Sequence, residues 1–155
     1  MVCGVAGSGK TTIAARLATE FGLPFIDADG LHPPENIEKM SAGIPLGDGD
    51  RAEWLDEVSK VMDRPVVIAC SALKREYRNR LRIAHPDTVF IFLNVTKIEL
   101  LKRLTNRKGH FMPASLLDSQ LAIAEPLTAD EIGINLDGGR SIEEILKNVH
   151  EYIGR

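Results

Sequence analysis

Residues Gly4-Val5-Ala6-Gly7-Ser8-Gly9-Lys10-Thr11 satisfy the pattern G-x-x-x-x-G-K-[ST] at every specified position. The context fits as well, with a short apolar run before the loop and a helix-period segment after it. Backbone N–H groups at a helix N-terminus cradle a triphosphate, and glycines let the backbone turn tightly and come close. Lys10 reaches the outer phosphates as a point charge, and the Thr11 hydroxyl is a magnesium ligand. The expected nucleotide-binding set is therefore Gly4, Gly7, Ser8, Gly9, Lys10, Thr11 and Thr12, with Lys10 also catalytic. ATP and Mg2+ are the expected cofactors.

Beyond the loop, apolar runs with β-branched character alternate with helix-period segments, the pattern of βα units around a parallel sheet. Strands are expected at Met1–Val5, Pro24–Asp27, Val66–Cys70, Val89–Asn94 and, more weakly, Ile132–Leu136. Helices are expected from Lys10 to Phe21 with Gly22 as the stop, from Pro34 to Gly43, and from Arg75 to Ala84. Asp50 and Glu53 have the spacing of a capping box opening a helix that presents Trp54, Leu55, Val58, Val61 and Met62. A helix through Leu100, Leu101 and Leu104 is interrupted at Arg107–Pro113, another begins near Ala114, and the last runs from Ser141 to Ile153. With no repeat or linker, residues 1–155 read as a single domain.

Composition excludes several classes. The 155 residues are 44% hydrophobic and 26% charged, with a formal net charge of -3, so nothing favours a polyanionic nucleic-acid partner. No apolar run approaches the ~20 residues of a membrane span, and the N-terminus lacks a signal-like core, so the cytoplasm is the expected location. Cys3 and Cys70 lie in apolar runs and read as buried structural thiols.

A phosphate loop serves kinases, switches and motors alike. Asp27–Gly30 matches D-x-x-G, but it follows the first helix with no room for a switch segment, and no N-K-x-D sequence is present. The third strand ends in Cys70-Ser71, where many ATPases place a magnesium-binding carboxylate. A kinase reading gains from Arg103, Arg107, Lys108 and His110, cations in or beside the break between helices, as on a lid that closes over a transferring phosphoryl group. That lid spans about 107–124, with Arg107 catalytic.

On the acceptor side, Asp27 and Asp29 end the second strand, and strand alternation would aim both carboxylates into one pocket. One would hold magnesium and the other accept the proton of the attacking hydroxyl; Asp29, farther into the loop, is the favoured base and Asp27 the metal ligand. Both capping the next turn is the structural alternative. Arg51, at a helix start where the dipole gives a cation no reason to be, and Lys74, Arg75 and Arg78 after the third strand, form a set for a substrate carboxylate or phosphate. His32 and His110 neighbour these residues.

Together these blocks resemble the gluconate kinases, small P-loop enzymes related in fold to shikimate and adenylate kinases. The resemblance runs from the P-loop through Asp27-Ala28-Asp29-Gly30-Leu31-His32-Pro33, Asn36–Met40, Pro45-Leu46, Asp48, Asp50-Arg51 and Trp54-Leu55. It continues in Cys70–Lys74, Tyr77-Arg78, Leu81-Arg82, Arg103-Leu104, Arg107, His110–Pro113, Leu116-Leu117, Ser119-Gln120 and Glu125-Pro126. It implies a three-layer α/β P-loop kinase fold, a five-stranded parallel sheet flanked by helices with a mobile lid. It also implies ATP-dependent phosphorylation of D-gluconate at the 6-hydroxyl, and a homodimer. By the same resemblance Asp29, Arg51 and the Lys74 region lie at the gluconate site and Arg103 beside the adenine. The chain departs from the family pattern in a shorter first strand and in Glu53, where Pro is common. Kinases of other small anionic acceptors, such as shikimate or a nucleoside monophosphate, and a nucleotide-dependent switch or ATPase are the alternatives.

Overall fold

The computed structural model describes residues 1–106 and 114–154. Five strands, β1 (Val2–Cys3), β2 (Phe25–Asp27), β3 (Val67–Ala69), β4 (Phe90–Asn94) and β5 (Gly133–Asp137), form one parallel sheet in the order β2-β3-β1-β4-β5. The helices are α1 (Lys10–Phe21), α2 (Pro34–Ser41), α3 (Asp48–Lys60), α4 (Arg75–Ala84), α5 (Lys97–Thr105), α6 (Leu117–Ile123) and α7 (Ile142–Ile153). The sheet is the expected one, and β1 holds its centre with only two residues. Val2 pairs with Ala69 on one side and Ile91 on the other, and both β1 residues are fully buried.

Strand alternation divides the core into two layers. Cys3, Ile68, Cys70, Phe90 and Phe92 pack with Trp54, Leu55, Val58, Tyr77 and Leu81 of α3 and α4. Val2, Val67, Ala69, Ile91 and Leu93 pack with Ile13, Ala14 and Leu17 of α1 and Ile145, Leu146 and Val149 of α7. Each fully buried side chain of this kind contributes about 1.5–3 kcal/mol. Helices on both faces leave the carboxyl ends of the strands free, and the chain switches sides of the sheet around β1. That is where an open α/β sheet places its ligands.

Helix boundaries follow local chemistry. Gly22 ends α1 in the left-handed region, φ 63°, with its N–H on Ala18 and Thr19 carbonyls. Ser141 caps α7 and shares a capping box with Glu144. The expectation for α3 needs correcting: it opens at Asp48, after Gly47, so Asp50 is its third residue rather than its cap. The Asp50 carboxylate accepts the Gly47 N–H at 2.9 Å, the one half of a capping box available when the capping residue is glycine. The helix expected near Ala114 starts as a 3-10 turn, Ala114–Leu116, before α6. Both cysteines are buried and free, as expected, and burial pushes the Cys3 thiol up to about 11.

Candidate active site

The loop between β1 and α1 is shaped by three left-handed glycines. Gly4 has φ 149°, and a Cβ there would meet the Ser8 Oγ at 2.6 Å and the Leu93 carbonyl at 3.0 Å. Gly7 (φ 80°) packs under Leu104 of α5, and Gly9 (φ 91°) caps α1. Successive turns of this kind point backbone N–H groups into one concavity, which suits phosphate. The Ser8 side chain is buried, at 1% exposure, rather than presented to the surface. Lys10 is nearly buried, with its Nζ 3.4 Å from the Val5 carbonyl, and Thr12 is exposed on the first turn of α1.

Thr11 Oγ1 donates to Asp27 Oδ2 at 3.0 Å, bringing a hydroxyl and a carboxylate together beside the loop. These are hard oxygen ligands, and no cluster of three or more His, Cys, Asp or Glu side chains forms a metal cage among the described residues. Magnesium fits such a site, because it keeps waters and phosphate oxygens and takes one or two protein ligands.

Strand alternation does not place Asp29. β2 ends at Asp27, and Ala28–Leu31 is a 3-10 turn capped by Asp27 Oδ1, which accepts the Asp29 N–H at 3.0 Å. The capping alternative therefore holds for Asp27, whose two oxygens face different partners. The turn itself is held by Trp54, whose Nε1 donates to the Ala28 carbonyl at 2.7 Å. His32 lies flat on the same indole, with centroids 4.3 Å apart and planes at 10°.

Asp29, His32, Lys10, Arg51, Trp54 and Gln120 line one cleft at the carboxyl edge of the sheet. Asn36 Nδ2, which can only donate, lies 3.3 Å from His32 Nδ1, so Nδ1 accepts and the ring carries its proton on Nε2. Burial lowers the His32 pKa to about 4, against the pull of Asp29 and with the help of Arg51. The ring is therefore neutral near pH 7. A larger cavity, about 580 Å³, opens at the amino ends of the strands between Phe21, Met62, Pro86 and Ile153. It contains no residue of the phosphate loop, so the smaller cleft is the one with the chemistry.

The expected cationic set separates. Arg51 sits in the cleft with its Nη1 on the Leu46 carbonyl and its guanidinium 5.7 Å from the Tyr77 ring. Lys74 lies beside it, 5.5 Å from the same ring and 2.9 Å from Asp48. Hydrogen bonds from Tyr77 and Lys74 hold the Asp48 carboxyl below its usual range. Arg75 points elsewhere, because consecutive helical positions diverge by about a quarter turn. Its guanidinium takes both oxygens of Asp130 and the Thr128 hydroxyl.

Arg78 also leaves the expected substrate set. Its side chain is fully buried and doubly paired with Glu131, at 2.6 and 2.9 Å. Its remaining edge donates to the Ala72 and Leu73 carbonyls, fastening the loop after β3 where Ala72 has φ 32°. Burial works against ionisation of Glu131, but Arg78 and the Thr128 N–H hold its carboxyl below the usual range. Arg78 shapes the cleft wall rather than entering it.

Arg103 bridges the nucleotide loop and the turn after β5. Its Nη1 lies 3.3 Å from the Gly7 and Ser8 carbonyls, and its Nη2 donates to Gly138 at 2.9 Å. Arg107 and His110 lie outside the described residues, as does the stretch 107–113 of the expected lid; the 3-10 turn and α6 fall in the remainder of that expected segment. Asn36, Tyr77 and Gln120 had no assigned role in the sequence, since nothing local to them signals one. Trp54 was expected as core and is also the shelf for His32.

The chain is similar to known proteins along most of its length. The shikimate kinase family model matches residues 6–131. The gluconokinase of Gluconobacter oxydans is 45% identical, over 96% of this chain and 87% of its own. A crystal structure of a gluconokinase from Sinorhizobium meliloti superposes with TM-score 0.90 at 43% identity, over 99% of this chain and 90% of that one. An unliganded sugar kinase from Janibacter gives 0.93 at 46%, over 99% and 92%. The chain belongs to the gluconokinase family, within the wider group of P-loop kinases that the shikimate kinase model covers.

Proposed function

We propose that the protein transfers the γ-phosphoryl group of ATP to the 6-hydroxyl of D-gluconate, giving 6-phospho-D-gluconate and ADP. The observation that carries this reading is the meeting of Lys10 and Asp29 with His32 and Arg51 in one cleft. The family relatives named for this activity support the choice of acceptor.

Each residue has work suited to its chemistry. Asp29 accepts the O6 proton as that oxygen bonds to phosphorus and the bond to the leaving ADP breaks. Lys10 neutralises charge that grows on the transferring oxygens. The neutral His32 donates from Nε2 to an acceptor hydroxyl, and Arg51 with Lys74 balances the acceptor carboxylate. Thr11 and Asp27 would hold magnesium, which would supply positive charge against the phosphates. A cytoplasmic location, where ATP is plentiful, goes with this reading.

Phosphorus NMR of the product tests it. Phosphorylation at O6 gives a phosphomonoester signal split into a triplet by the two C6 protons. A doublet, the mark of a secondary hydroxyl, or no phosphomonoester at all, refutes the assignment.

A further inference from the structure

Lys74 is the capping residue of α4, yet its side chain makes no capping hydrogen bond, because an ammonium only donates. The first N–H groups of a helix have no partner within it. Glu125 supplies one from 50 residues away: its Oε2 accepts the Arg75 N–H at 2.7 Å. The backbone N–H of the same glutamate donates to the Leu73 carbonyl at 2.8 Å. Pro126 follows and disfavours helical backbone at Glu125, in keeping with α6 ending at Ile123.

The Leu73 carbonyl belongs to the planar peptide unit before the Lys74 Cα, and the Arg75 N–H to the unit after it. One residue therefore holds both planes whose relative setting is the φ of -89° and ψ of 146° at Lys74. Those two angles fix the direction in which the Lys74 side chain leaves the backbone. At its far end the ammonium lies 2.9 Å from Asp48 and 5.5 Å from the Tyr77 ring, which Arg51 also faces. Leu73 lines the cleft, whereas Glu125 does not.

We propose that Glu125 is a positioning residue of the acceptor site. It fixes the backbone of Lys74, so that the ammonium meets the acceptor carboxylate at a set place beside Arg51, and it does not touch the acceptor itself. The inference rests on the sugar-acid reading of the cleft, in which Lys74 and Arg51 balance that carboxylate. Reach matters more than charge in this role. An amide oxygen of equal reach accepts the same N–H, while a carboxylate one methylene shorter falls away from it.

The test is a double-variant cycle on the gluconate KM, with ATP and Mg2+ saturating. Lys74→Met should raise that KM by about tenfold or more, the worth of a hydrogen bond to a charged group. Glu125→Ala should raise it by about tenfold, the worth of a lost helix cap, with kcat and the ATP KM within about twofold. Glu125→Gln should stay within about threefold of wild type, since only the charge at the helix end is lost. In the Lys74→Met background, Glu125→Ala should change the gluconate KM by less than about twofold, because the residue it positions is gone. Additive losses, a Gln variant as impaired as the Ala variant, an ATP KM that rises in parallel, or an unchanged gluconate KM in either single variant would each overturn the inference. Partial unfolding lowers kcat through the active fraction and leaves KM alone, so thermal unfolding curves on the same samples separate a folding defect from the role. If Glu125→Ala does not fold, Glu125→Asp carries the same cycle. A wild type that turns over no sugar acid refutes the proposed function and this inference together, whereas an active wild type with additive losses refutes this inference alone.

Discussion

Thr11 and Asp27 join the start of α1 to the end of β2 through a 3.0 Å hydrogen bond, while the other oxygen of Asp27 caps the turn that carries Asp29. Two carboxylates two residues apart are thereby given separate surroundings. Asp29→Asn should lower kcat by about 10²–10⁴-fold, the usual loss for a general base, with little change in the ATP KM. Asp27→Asn should instead raise the Mg2+ concentration needed for half-maximal rate, and saturating Mg2+ should restore much of the activity. Steady-state kinetics over a magnesium titration separates the two; an exchange of these phenotypes would reverse the roles.

His32 gives stability a pH dependence with a definite sign. Its folded value of about 4 lies below the ordinary 6.5, so between those values the unfolded chain binds a proton that the folded chain refuses. The neutral ring contributes its full share above about pH 6.5, and that share is lost as the pH falls toward 4. Solvent at the open edge of the ring screens part of the effect. Thermal unfolding at pH 7.5 and pH 5 should show a larger drop in Tm for wild type than for His32→Gln. Equal drops would mean that the stacked ring titrates normally.

Arg78 and Glu131 form a buried pair, so removing one partner strands the other. Arg78→Ala should cost about 3–5 kcal/mol. In a domain of this size each kcal/mol is roughly 2–4 °C in Tm. The double variant Arg78→Met with Glu131→Leu should recover much of that loss, because no buried charge remains. Its kcat should stay low, since the Ala72 and Leu73 carbonyls lose the guanidinium that fixes the cleft wall. Calorimetry and kinetics on the same samples check both halves.

Much of this was legible in the residues. The phosphate loop, the extent of α1 and α4, and the five strands follow from local rules of glycine conformation and periodicity. What sequence could not give is where long side chains end. Arg75 and Arg78 look like Lys74 in the sequence, yet Asp130 and Glu131, more than fifty residues away, claim them. Asp29 reaches the cleft through a 3-10 turn whose anchor, the Trp54 indole, is contributed by a distant helix. The bond from Gln120 to Ala6 spans the fold, and no spacing rule marks it.

Turnover with different acceptors distinguishes a sugar-acid kinase from the alternatives. ADP release at saturating ATP and Mg2+ should be measured with D-gluconate, shikimate, D-glycerate and AMP, for wild type and for Arg51→Lys. The wild type should release ADP with gluconate at least roughly 100-fold faster than with the other acceptors, because a cleft built to hydrogen-bond particular hydroxyls rejects ligands lacking them. Arg51→Lys should raise the gluconate KM while the ATP KM changes little, because lysine keeps the charge and loses the planar fork. Turnover of shikimate or AMP equal to or faster than that of gluconate would contradict the assignment.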